Sequence, residues 1–154
     1  MPVYGAWSTS YTPEQVALLY NAIDAAGITN EMSQYDKCVA INNYVCAVMT
    51  YTQSSKDNPA FGTGDGLCVL QGGGRGMCIH YADLYQTMCE AIGITCKIAE
   101  GVTPDPNTGE MKMSHAWDAV FIDGKVYYVD PTWNDTAAGN RYLMSEILWP
   151  DHMF

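Results

Sequence analysis

Cys78, His115 and Asp130 are residues whose types and order suit nucleophilic catalysis: a thiol that attacks, an imidazole that takes up and returns its proton, and a carboxylate that orients the imidazole. A free thiol, with a pKa of about 8.5, is a modest nucleophile, and both a helix N-terminus and a nearby imidazolium favour its thiolate. Cys78 meets the first condition by position. Ile79, Ala82, Tyr85, Met88, Cys89 and Ile92 recur at helical spacing with Gly93 as the capping residue, so a helix begins at Cys78. Gly76 lets the chain approach closely just ahead of it, and Gly72 to Gly74 give it room to turn in. The imidazole has three sources. His152 stands two residues from the last position of the sequence, and His80 follows Cys78 so closely that a helical turn points it elsewhere, which leaves His115 as the base.

The elements that must bring these three together are legible in outline. Thr12, Pro13 and Gln15 form a capping-box signature that opens a helix ending before Gly27. Ser33 with Asp36 opens a second, whose apolar face is Cys38, Ile41, Val45 and Val48 and which is expected to run to about Tyr51. Residues 53–77 collect serine, proline and glycine and read as a loop. After the Cys78 helix, strands are expected over 94–102, 115–122 and 126–129, with a short one at 142–144. Asp123 and Gly124 form a two-residue hairpin turn that sets Asp130 across from Trp117, within a small stagger of His115. Alternation puts His115, Trp117, Ala119 and Phe121 on one face, the face expected to receive the Cys78 helix. The expected fold class is α+β, with N-terminal helices packed on an antiparallel sheet.

Bulk properties are consistent with this. The 154 residues suit one domain, spanning 1–154, in which folding buries roughly 70% of the surface of the unfolded chain. A net charge of −10 repels phosphate backbones and anionic surfaces, so nucleic acid is excluded as a partner. No run of apolar residues is long enough for membrane insertion. Met1 to Ser10 has neither the basic start nor the apolar centre of an export signal; the compartment stays open, secreted or cell-surface for an excised domain of a larger protein and cytoplasmic otherwise. The six cysteines contain no C-x-x-C pair, so no metal site is expected, and most read as buried free thiols. The glycines at 62, 64, 66 and 72 to 74 lack the lysine and hydroxyl residue of a phosphate-binding loop, and no cofactor is expected.

The segments GRGMCIHYADLYQTMCEAIGI and SHAWDAVFIDGKVYYVDPTWND resemble the bacterial transglutaminase-like superfamily over roughly residues 33–145. The Cys78 box, the His115-Ala116-Trp117 box and the Asp130-Pro131-Thr132-Trp133 box stand in the family's order. The resemblance implies a papain-like, transglutaminase-like core and a thiolate that attacks an amide carbonyl of a peptide or protein substrate, forming an acyl-enzyme released to water or to an amine. Hydrolysis is favoured slightly, because transamidation needs a pocket that excludes water. His80 stands where the family often has glycine, and Asp118 where asparagine is common. An oxyanion hole needs the Cys78 N–H and a side-chain donor, for which Tyr51 and Gln71 are candidates. Trp117 and Trp133 are candidates to line an acyl pocket. Two other readings stay open: acyl transfer like that of arylamine N-acetyltransferases, and a catalytically silent module that binds a peptide or cell-surface polymer.

Overall fold

In the computed structural model, residues 11–154 are described. Helix α1 (Pro13–Ala25) starts as its capping residues require: the Thr12 hydroxyl accepts from the Gln15 N–H and the Gln15 side chain accepts from the Thr12 N–H. Helix α2 (Gln34–Val48) is capped by Ser33. It ends three residues earlier than its apolar periodicity suggests, because Thr50–Tyr51 leaves as strand β1 and pairs in parallel with β2 (Arg75–Gly76). The segment between them holds one helix the composition hides, α3 (Gly66–Gln71), whose first N–H groups are capped by the Asp65 carboxylate.

Helix α4 (Cys78–Ala91) runs through the middle of the molecule. Tyr81, Leu84, Tyr85, Met88 and Cys89 are completely buried on it, each apolar side chain contributing about 1.5–3 kcal/mol. They meet Ile41 and Val45 of α2, Leu67 and Val69 of α3 and the antiparallel sheet in one core. That sheet is β3 (Thr95–Pro104), β4 (Met111–Ile122) and β5 (Lys125–Val129), in sequence order. Asp123 and Gly124 both take positive φ, 50° and 77°, which suits the tight turn joining β4 to β5. The register follows from that turn, with Ile122 opposite Lys125 and Asp118 opposite Val129.

The face of β4 that receives α4 is the reverse of the one expected. Val120 and Ile122 join the helical core, and Ala116 packs with Cys78 and Ala82. His115 and Trp117 stand on the other face, while Phe121 is exposed. Alternation identifies residues that share a face but carries no information on which face a helix covers. The face of Trp117 is covered by residues 142–154. This stretch returns along the sheet through pairing of Ser145 with Tyr128 and Met153 with Val102, and lays His152 and Phe154 against the indole. Gly101 permits the approach, since a Cβ there would lie 2.1 Å from the Met153 carbonyl oxygen.

Candidate active site

Cys78 is the first residue of α4, so its N–H has no acceptor within the helix and the positive end of the helix dipole falls on its side chain. The helix start is held by His80, whose Nδ1 accepts from the Met77 N–H at 3.0 Å and whose Nε2–H donates to the Phe61 carbonyl at 2.8 Å. His80 is therefore a neutral capping side chain directed away from the thiol, and burial lowers its pKa. Gly76 makes room for it; a Cβ there would meet the His80 ring at 2.8–3.0 Å.

His115 Nε2 lies 2.7 Å from Asp130 Oδ2, and the Cys78 thiol is close enough to the same imidazole to act on its proton. With Nε2–H donated to the carboxylate, Nδ1 is the nitrogen left for the thiol. Burial alone would favour the neutral ring, but the hydrogen bonds and charges of Asp130 and Cys78 outweigh it and hold His115 at about 9. Asp130 is itself buried. Burial acts to raise its pKa, and hydrogen bonds from His115, His152 and the Trp133 N–H reverse that and keep it below the ordinary carboxylate value. Its position is set by the end of β5 and a helical turn, Pro131–Trp133, that it caps. Asn134 ties the following loop to Tyr142 and to Asn42 of α2.

The feature missed by sequence reasoning is His152. Its Nε2 stands 2.7 Å from the same Asp130 oxygen and its Nδ1 2.9 Å from Asp151 Oδ1, with the side chain wholly buried among Trp117, Trp133, Tyr142 and Trp149. It is not the base, but its place near the end of the sequence does not keep it from the site, because the pairing of Met153 with Val102 docks it beside Asp130. No local pattern signals that contact. His115, Asp130 and His152 offer ligand atoms within 4.8 Å of one another, a donor set that suits zinc. Separations of 2.7 Å are those of charge-assisted hydrogen bonds, so protons account for the arrangement.

A cavity of about 330 Å³ opens beside the thiol, lined by residues including Cys78, Glu100, Ser114 and His115. Trp117 and Trp133 do not line it. They pack instead on the imidazoles, with ring centroids 6.0 and 5.2 Å from His115. Tyr51 lies on β1, paired with the strand just ahead of Cys78, and is exposed with its hydroxyl accepting from Gln53. Gln71 is exposed at the end of α3, near Gln15 of α1, and belongs to other surface depressions. Asp118 is buried on the helix side of the sheet beside Cys96, where burial pushes its carboxyl well above the ordinary range.

The transglutaminase-like superfamily profile matches residues 22–131. The chain belongs to that superfamily. It is 29% identical over 133 residues to the kyphoscoliosis peptidase of Mus musculus, covering 78% of this chain and 20% of the relative. It is 26% identical over 144 residues to cytokinesis protein 3 of Schizosaccharomyces pombe, covering 88% of this chain and 16% of that protein. The chain thus spans about a fifth or less of the curated relatives it matches. Among solved structures, a TGase crystal structure superposes with TM-score 0.64 at 19% identity, over 88% of this chain and 36% of the other. The periplasmic domain of TgpA from Pseudomonas aeruginosa gives 0.58 at 22%, over 80% and 45%. These likenesses establish the transglutaminase-like, papain-like α+β fold, with its helices followed by an antiparallel sheet.

Proposed function

We propose that this superfamily member is a cysteine-dependent enzyme that transfers the acyl group of a peptide or protein amide through a thioester on Cys78, with water as the preferred acceptor. The observation that carries the reading is His115 held between the Cys78 thiol and Asp130 at the mouth of a cavity. In the forward step His115 takes the Cys78 proton, the sulfur bonds to the amide carbon, and the carbonyl π pair moves onto the oxygen. The Cys78 N–H faces the developing oxyanion, with Tyr51 as the side-chain candidate by position. The C–N bond then breaks as His115 gives its proton to the leaving amine. In the second step His115 takes a proton from water, the oxygen attacks the thioester, and the C–S bond breaks to restore the thiol. Peptidase chemistry in a curated relative supports amide substrates, and the TGase among the structural relatives keeps amine transfer as the competing outcome.

The test is incubation with a glutamine-containing peptide library, with and without a primary amine, for the wild type and Cys78→Ala. Ammonia release or peptide cleavage that disappears in Cys78→Ala supports hydrolysis. Amine incorporation would replace water with amine as the acceptor. The absence of all three products would overturn the amide reading and favour a binding module.

A further inference from the structure

The Asp130 carboxylate is asked to serve two imidazoles at once. Its Oδ2 receives both His115 Nε2 and His152 Nε2 at 2.7 Å, while its Oδ1 accepts from the Trp133 N–H at 3.1 Å. An orienting carboxylate for a single histidine needs one of these contacts. His152 is also held at its other nitrogen, where Asp151 Oδ1 lies 2.9 Å from Nδ1 and the second Asp151 oxygen accepts from the Tyr142 hydroxyl. An ionised carboxylate has no proton to give, so a nitrogen facing one carries its own. Both nitrogens of His152 face carboxylates, and the ring is thereby held at both ends.

We infer that His152 is a positioning residue of the site: its hydrogen bond fixes the Asp130 oxygen on which His115 turns and draws on that oxygen's negative charge, and so tunes the pH range over which His115 keeps its proton. The assignment rests on the thiol-enzyme reading above. His152 does not reach the thiol or the cavity, since Trp117, Trp133, Tyr142 and Trp149 enclose it, so it acts through Asp130. The titratable and charged groups facing it are His115 from β4, Asp130 after β5, and Asp151 with Tyr142 from the C-terminal stretch; Arg141 lies over the Tyr142 ring. Asp118, on the other face of the sheet, is kept from ionising by burial, and Asp130 adds to that effect.

The sign of the effect follows from charge. Removing the His152 hydrogen bond leaves more of the Asp130 charge for His115, whose ring centre lies 5.7 Å from that of His152, and makes the His115 imidazolium easier to keep. The alkaline inflection of reactivity against pH, which His115 sets, then moves up by about one pH unit. Loss of the hydrogen bond to Asp130 also frees the His115 ring and slows the reaction about tenfold to a hundredfold.

The experiment is the pH-dependent rate of Cys78 alkylation by iodoacetamide, read by peptide mass spectrometry, in wild type, His152→Phe, His152→Gln and His115→Ala. The phenylalanine keeps a ring without donors, and the glutamine restores a neutral donor. The expected result is slower alkylation with the alkaline inflection raised in His152→Phe. In His152→Gln, which restores a donor to Asp130, the rate and the inflection both return part of the way to wild type. Wild-type rates and inflections in the folded His152 variants, with the Cys78 advantage lost in His115→Ala, would overturn the role of His152 and leave the thiol reading standing. If His115→Ala also alkylates like wild type, the thiol reading itself is lost. Should His152→Phe fail to show a cooperative unfolding transition, His152→Gln decides by its inflections alone.

Discussion

At the residue scale the site is governed by what His115 is bonded to. Without partners, a ring this buried would favour its neutral form; with Asp130 on one nitrogen and Cys78 on the other it keeps its proton to about pH 9. A group whose folded pKa is raised is protonated below that value and loses the proton as pH rises through it. The imidazolium that must deliver a proton to a leaving amine is therefore available up to about pH 9, and kcat/KM for an amide substrate is expected to fall above it. Asp130→Asn removes the charge that raises His115. The alkaline limb should move down toward neutrality and kcat/KM should drop by about 10²–10⁴-fold, both read from one pH–rate profile. An unchanged limb in that variant would mean that Asp130 does not set the proton affinity of His115.

Elements decide whether those residues meet, and two contacts between elements are sensitive to a single methyl group. Gly66 opens α3 against α4, where a Cβ would lie 2.3 Å from the Leu84 nitrogen and 2.6 Å from the His80 carbonyl oxygen. Gly66→Ala must push two backbones apart, and a loss of about 3 kcal/mol in urea denaturation is expected. Gly101→Ala instead meets the Met153 carbonyl, so it should lift residues 149–154 from β3 and expose Trp117, which is seen as a red shift of tryptophan emission. The same contrast explains what could be read before the fold was known. The start of α4 at Cys78, the cap at Thr12 and the β4–β5 register rest on neighbouring residues, and local spacing carries them. His152, the covered face of β4 and helix α3 depend on partners distant in sequence, about which periodicity is silent. The α2 boundary was displaced because Thr50 and Tyr51 take their partners from residues 75 and 76.

At the scale of the whole molecule, the six thiols divide by where the fold puts them. Cys38, Cys89 and Cys96 are fully buried together in the core between α2, α4 and β3. Cys46 is half-buried, where burial and then the charges of Asp135 and Asp130 push its thiol to about 12, leaving roughly 10⁻⁵ of it ionised at pH 7. Cys68 is raised as well, by burial and by Asp65. Cys78 differs from all five in standing at a helix N-terminus beside an imidazole and a cavity. Iodoacetamide at neutral pH is therefore expected to label Cys78 first in the native protein. Cys38, Cys89 and Cys96 should label only as the core opens, with a urea dependence that coincides with the loss of helical circular dichroism. Equal labelling of Cys46 or Cys68 would remove the distinction on which the nucleophile assignment rests. Labelling of the buried three before the helical signal falls would show that α2 and the sheet part from α4 in a separate step, and that the core around the site does not unfold as one unit.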